Sequence, residues 1–383
     1  ALEESSRSCG RGIAATMFKV TLPLATPSIL SAVILTFVSS AGEFGVPLTL
    51  GTPRHNETLS TMIYEVVNRD TPDYNLAAAM GSILAVVTIA CVFLHRWMVL
   101  RRSFTTVTGR GYRPSLIKLG GWRWVGLAFN LVFFLIAVFL PLGIMLLQSI
   151  QEVWLGSFNP GEVSFANYLH VVNYIPETSA GIKNSLLLAI VGASIGVIVA
   201  LLIAQTIYRS NLAGRRLVDF ITSLPVGIPG VVFSMGVLLI AIRTPFYGAL
   251  FVLGIAYLAR YMPLGQRSVA GVLLTVSREL EEAARSCGAG YFRTLHSVTI
   301  PLVKPGLIAA WMLLFVLFLR ELPISILLSQ SGSEVMSVAL LRLLEHATSG
   351  ETAAYAMIQS GMILAVVILF QFITRAKAEG NVT

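Results

Sequence analysis

A nine-residue string near the start of the chain, LEESSRSCG at 2–10, returns 278 positions later as LEEAARSCG at 280–288, with seven of nine positions identical. The register persists beyond the string: Pro23 and Pro27 correspond to Pro301 and Pro305, and Glu43 to Glu321, each pair 278 apart. Each copy begins with charge and runs into a long apolar stretch. Two charged helix–loop units, each feeding a span, describe a membrane bundle built from two pseudo-symmetric halves. The first copy stands at the very beginning, so the chain is expected to be a fragment lacking most of its first half.

The solvent follows from composition. Hydrophobic residues make up 55% of the 383 and charged residues 12%, about half the share found in soluble domains. The expected fold class is therefore all-α, a polytopic membrane bundle. Apolar runs near the length needed to cross hydrocarbon occur at 24–46, 76–99, 124–149, 184–207, 219–242, 249–270, 306–328 and 353–374, which makes eight spans. The run at 219–242 contains LPVGIPG. Pro225 and Pro229 predict a broken helix, tolerated in a bilayer only where protein or a water-filled cavity satisfies the freed backbone groups. A translocation path beside it is one reading and a plain kink the other.

Charge then orients the spans. Segments 1–23, 96–123, 209–219, 260–304 and 375–383 hold 21 of the 27 Lys and Arg residues. Under the positive-inside rule those segments, including both repeated loops and the C-terminus, are cytoplasmic. The net charge of +8 is thus a topology signal, and no nucleic-acid partner is expected. The organisation reads as 1–100, the end of the first half; 101–123, a basic cytoplasmic linker; and 124–383, a complete second half of six spans with its loop at 272–304. The long outer loop 151–183 carries an amphipathic stretch, 164–172, expected along the membrane surface.

Cys9, Cys91 and Cys287 form no CxxC or Cys/His cluster, so no metal site is expected. Cys9 and Cys287 are expected to be small packing residues. No GxxxxGK[ST] phosphate loop is present, so the chain is not itself expected to hydrolyse ATP, nor to carry a cofactor.

In the second copy Leu280, Ala283, Ala284 and Cys287 fall on one helical stripe, with Glu279, Glu281, Glu282 and Arg285 on the other faces. Ser277 is placed to cap the helix N-terminus and Gly288 to end it in a left-handed turn. A small-residue stripe suits close approach to a groove on a partner protein. The first copy has Ser5 and Ser6 where the second has alanines.

These strings, ESSRSCG with TLPLATP and EAARSCG with TIPLVKP, resemble the EAA coupling loops of permease subunits in binding-protein-dependent ABC importers of type I. LPVGIPG, two spans before the second loop, is similar to that family too. The resemblance implies that Glu3, Glu4, Gly10, Glu281, Glu282, Ala283, Ala284 and Gly288 couple the permease to a cytoplasmic ABC ATPase dimer, the ATP-hydrolysing partner. It implies an extracytoplasmic solute-binding protein docking on 51–75, 151–183 and 329–352, residence in a prokaryotic cytoplasmic (inner) membrane amid lipid, and alternation between inward- and outward-facing states. Two halves in one chain, with AGEFGVPLTLG at 41–51 and LRELPISILLS at 319–329, look most like the fused permeases of iron(III) importers. Fused permeases for thiamine or aminophosphonates, and oxyanion permeases for sulfate or molybdate, are the alternatives.

Glu43 and Glu321 are expected inside spans, toward the outer side, where an ionisable group is by default a functional candidate. An entrance or gate is one reading, and paired carboxylates would suit a hard cation. The other reading is interfacial, with Glu321 paired to Arg320 and Glu43 snorkelling or capping a helix end. GASIG at 192–196 matches the nucleophile string G-x-S-x-G, which raises an intramembrane serine protease using Ser194. It also matches the helix-packing pattern GxxxG, and no histidine lies mid-span to act as base.

Overall fold

The computed structural model describes residues 2–52, 55–101 and 120–379, so 102–119 of the expected linker lies outside the described residues. Among the described residues the regular structure is helical, apart from one antiparallel bridge between Gln151 and Val163. Two compact units are formed, Ala1–Trp124 with Gly227–Val232, and Val125–Val226 with Phe233–Thr383.

The first unit runs through α1 (Leu2–Ser8), α2 (Ile13–Thr16), a π turn (Met17–Thr21), α3 (Leu22–Ala41), a second π turn (Pro47–Gly51), α4 (Leu59–Val67) and α5 (Tyr74–Arg101). α5 packs along both α3 and α4. Thr58 and Thr61 form a reciprocal capping box at the start of α4, which satisfies amide groups left open at a helix N-terminus. Phe44 is buried and meets Tyr64 edge-on at 5.5 Å.

The second unit contains α6 (Trp122–Phe134) from Val125 on, a π turn (Leu135–Phe139), α7 (Leu140–Ser149), α8 (Ala166–Asn173), α9 (Pro176–Tyr208), α10 (Arg215–Ser223), α11 (Gly230–Ala241) from Phe233 on, and α12 (Leu250–Leu273). It continues with α13 (Arg278–Ser286), α14 (Tyr291–Thr294), a π turn (Leu295–Thr299), α15 (Ile300–Leu319), α16 (Pro323–Leu328), α17 (Met336–His346) and α18 (Ser349–Glu379). α9, α12 and α15 pack against one another as its centre. Their shared core is rich in small residues, with Ala200, Ala204 and Ala310 fully buried beside Val269, Leu273 and Val303. In a bilayer apolar burial does not drive helices together, so close backbone approach through small residues does.

Three π turns share a cause. Met17–Thr21, Leu135–Phe139 and Leu295–Thr299 each end two residues before a proline, namely Pro23, Pro141 and Pro301. A proline lacks the N–H of its helical bond and crowds the carbonyl four residues earlier. That carbonyl falls inside the widened turn in all three cases.

Among the described residues five helices are long and apolar enough to cross a membrane, Tyr74–His95, Trp122–Ser149, Pro176–Tyr208, Tyr291–Leu319 and Ser349–Phe372, or up to seven if each of two bent pairs is one span. By this test of length and composition the described residues hold fewer candidates than the eight apolar runs of the sequence. The run at 249–270 forms a helix, α12, whose apolar sequence is interrupted by Arg260, Gln266 and Arg267. The run at 219–242 is two helical segments, Arg215–Gly227 and Gly230–Ala241, bent by 110°. The most apolar window of Trp122–Ser149 has no buried residue, and Phe129 and Phe133 stand 71% and 64% exposed. Such a face needs lipid or a protein partner, since water penalises it along its whole length.

Candidate functional site

The two repeated loops fold alike. From α1 to α3 and from α13 to α15, the corresponding elements end at residues 278 apart: Ser8 and Ser286, Thr16 and Thr294, Thr21 and Thr299, Ala41 and Leu319. Two hydrogen bonds that close the helix ends correspond between the copies. Cys287 N–H donates to Ala283 O at 3.0 Å and Ala289 N–H to Ala284 O at 3.1 Å, as Cys9 N–H donates to Ser5 O at 3.0 Å and Arg11 N–H to Ser6 O at 3.3 Å. Gly288 and Gly10 sit at φ +86° and +80°, the left-handed conformation that closes a helix C-terminus and that glycine adopts without strain. The Ser277 hydroxyl accepts from Glu279 N–H, as the sequence leads one to expect.

The polarity of α13 is inverted relative to a core-packing helix. Leu280 is 49% exposed, Ala283 and Cys287 are exposed, and Ala284 is half-buried. The helix's one buried side chain is Glu281. Cys9 and Cys287 are exposed free thiols, which corrects the expectation that they pack, because the stripe carrying them faces away from the chain. Glu282 is exposed next to its buried neighbour. The side chain of Glu4, its counterpart in the first copy, lies outside the described residues.

Glu281 Oε1 accepts from the Thr299 hydroxyl at 3.0 Å, and Glu3 Oε1 from the Thr21 hydroxyl at 2.7 Å. In the second unit Arg209 joins this point. Its side chain is 6% exposed with Nε 4.0 Å from Glu281 Oε1. Its Nη2 donates to Leu273 O and Val276 O at the end of α12, and Arg278 Nη2 donates to Tyr208 O at the end of α9. A buried ion pair is held best when further hydrogen bonds occupy its donors and acceptors; the carbonyls occupy Arg209 Nη2, while its Nε, facing Glu281, makes no hydrogen bond among the described residues. Where Ser6 shares a hydrogen bond with Thr16 at 3.1 Å, Ala284 offers nothing, and the buried Thr294 hydroxyl has no partner among the described residues. Sequence reading missed Arg209, Thr21 and Thr299. The threonines were findable, since they too are 278 apart.

Glu43 and Glu321 lie two residues beyond the ends of α3 and α15, in helix breaks. Prolines set the breaks. Pro323 cannot donate to Leu319 O, which Gln359 Nε2 takes at 2.9 Å. Glu321 is buried. Its carboxylate accepts from the Tyr261 hydroxyl and, at 3.1 Å, from Ile324 N–H, so it caps α16. Its carbonyl accepts from the Ser325 and Ser337 hydroxyls. The Glu43 carbonyl accepts from Ser60 at 2.7 Å while its side chain is exposed. The two glutamates therefore share a backbone role and differ in what their carboxylates do.

At LPVGIPG, Arg260 Nη1 donates to Pro225 O at 2.9 Å, satisfying one carbonyl that the broken helix frees. Within the first unit Pro229 is buried, and a Cβ added to Gly42 would meet its Cβ at 3.2 Å. Ser194 is held by packing chemistry. Its hydroxyl donates to Ile190 O at 2.7 Å and accepts from Trp311 Nε1 at 3.0 Å. A Cβ on Gly192 would lie 2.6 Å from the Phe318 ring, and one on Gly196 2.8 Å from Leu314. Both glycines permit close helix contact.

The model of a family described as binding-protein-dependent transport system inner membrane component matches residues 1–104 and 192–378. The chain is 24% identical over 376 residues to the ferric transport system permease protein FbpB of Actinobacillus pleuropneumoniae, covering 97% of this chain and 54% of that protein. It is 26% identical over 330 residues to the putative ferric transport system permease protein FbpB 1 of Haemophilus influenzae, covering 82% and 50%. The chain thus spans about half the length of these curated relatives. A crystal structure of a bacterial ABC transporter involved in the import of the acidic polysaccharide alginate superposes with a TM-score of 0.56 at 18% identity, over 66% of this chain and 95% of that one. At that identity the likeness concerns the fold alone.

Proposed function

The chain belongs to the family of inner membrane components of binding-protein-dependent transport systems, and we propose that it forms part of the permease of an ABC importer for ferric iron. The reading rests on one observation above the rest: α13 turns its apolar stripe outward and its carboxylate inward. A helix that fails to bury Leu280 in its own chain is built to bury it elsewhere. The groove of a cytoplasmic ATPase subunit is the occupant we infer, with α1 presenting the same handle to a second ATPase. Closure of the ATPase pair on ATP would then push both helices and bias the bundle between inward- and outward-facing states.

Ferric iron is supported by the names of the relatives that match nearly the whole chain. Glu43 exposes its carboxylate and is the better candidate of the two glutamates for contact with a hard cation at an outer entrance; Glu321 holds the fold at the equivalent break. The break at Pro225 and Pro229 borders the path in this reading. An extracytoplasmic binding protein would deliver the ion to 51–75, 151–183 and 329–352, and the basic segments and C-terminus would face the cytoplasm.

Co-purification tests the reading. The membrane-extracted complex should retain an ATPase subunit, and a Leu280→Glu substitution, which places charge on the outward stripe, should release it while leaving membrane insertion unchanged. Retention of the ATPase by that variant would refute the docking role.

A further inference from the structure

Resting on the transport function just proposed, we propose that Glu281 and Glu3 are positioning residues that clasp each coupling helix to the span following it, so that a push on the helix moves the span. In the second copy the two adjacent glutamates thereby divide their work, Glu281 buried and Glu282 exposed, while Glu3 makes its bond at an exposed position.

The bond itself is the first observation. Glu281 with Thr299 and Glu3 with Thr21 make the same side-chain contact across the same 18-residue separation in both copies. It persists although the neighbouring residues have diverged from Ser5–Ser6 to Ala283–Ala284, with the loss of the contact that Ser6 makes to Thr16. A carboxylate-to-hydroxyl bond kept while the bond beside it is lost marks the one that the unit requires.

The mechanics of the loop are the second. Between each short helix and its span lie two glycines, Gly10 and Gly12 or Gly288 and Gly290, with the first of each pair in the left-handed region. Such a joint is permissive, and a helix of seven or nine residues hung on it would swivel when pushed. The threonines end the π turns, immediately before the helices that cross the bundle. The clasp therefore bridges the joint. In the second unit Arg209 extends it, because the guanidinium facing Glu281 also holds the end of α12. α9, α12 and α15, the three helices that pack as the unit's centre, thus converge on one carboxylate.

The test removes the hydroxyl and keeps the carboxylate. Thr299→Val and Thr299→Ser are compared in the full permease, assembled with its ATPase subunits in vesicles, with ferric iron presented by the binding protein. The valine variant should retain the ATPase subunits and continue to hydrolyse ATP, but transport at least about fivefold less iron per ATP, the low end of ordinary coupling between sites. The serine variant should match wild type, which a purely structural role for the threonine methyl would not allow. Glu281→Gln combined with Thr299→Val should be no worse than the more severe of the two alone. A valine variant within about twofold of wild type in iron per ATP, beside a well-coupled wild type, overturns the clasp alone. A wild-type complex with no ATP-driven uptake overturns the transport reading and the clasp together.

Discussion

Gly288 offers a quantitative test because its environment separates conformation from sterics. A Cβ added there would meet nothing within 4 Å, yet φ is +86°, so any substitution acts through backbone strain. An ordinary L-residue pays about 1–2 kcal/mol in the left-handed region, with asparagine the least penalised. Against that stand the hydrogen bonds that close the helix end, Gly288 N–H to Arg285 O at 2.9 Å and Ala289 N–H to Ala284 O at 3.1 Å, each contributing about 1 kcal/mol net. Gly288→Asn should leave the turn closed. Gly288→Ala should bring closed and open ends near balance, and the β-branched Gly288→Val should open the turn and redirect the chain into α14. Uptake in vesicles, normalised to inserted protein, should fall in the order Gly, Asn, Ala, Val, with the valine variant close to inactive. The same series at Gly10, with φ +80° and equally open surroundings, should follow the same order. Full activity of Gly288→Val would refute the coupling role. An asparagine variant as poor as the valine variant would show that bulk, not φ, is sensed.

The two glutamates should separate on stability. Glu321→Ala leaves a half-buried tyrosine hydroxyl and a buried amide without their acceptor and should lower unfolding stability by about 1–3 kcal/mol, whereas Glu43→Ala, at an exposed side chain, should change it by less than about 0.5 kcal/mol; thermal melts of the two purified variants in detergent decide it, and equal losses would reject the buried-knot account. Ser194→Ala should leave transport unchanged, while Gly192→Leu, which drives a side chain into the Phe318 ring, should destabilise the bundle by about 1–3 kcal/mol; loss of uptake in the alanine variant with folding intact would reopen a chemical role for the serine.

Much of the site is legible in the sequence, because its parts are set within a turn or two of chain. Ser277 caps its helix through an amide two residues on, and Gly288 closes it because a left-handed residue ends the ladder there. The duplication needs nothing beyond a matched register, and the apolar runs need only a solvent to match them. Two runs are also modified locally: α12 carries Arg260, Gln266 and Arg267 within its apolar sequence, and a proline-set break ends the helix within the run at 306–328.

What the sequence could not decide was which side of each motif faces inward. Helical periodicity placed Glu281 and Glu282 on polar faces of α13 alike. The fold buries one and exposes the other because Thr299 and Arg209 meet at one carboxylate, from 18 residues downstream and from the end of α9. Glu321 became a structural knot because Tyr261 lies 60 residues before it in sequence and Ser337 16 after it, and packing brings both within hydrogen-bond reach. Caps, turns and apolar runs are local energies written along the chain; the partner of a buried carboxylate is fixed only when distant helices pack, since desolvation forces it to accept from whatever donors the packing delivers.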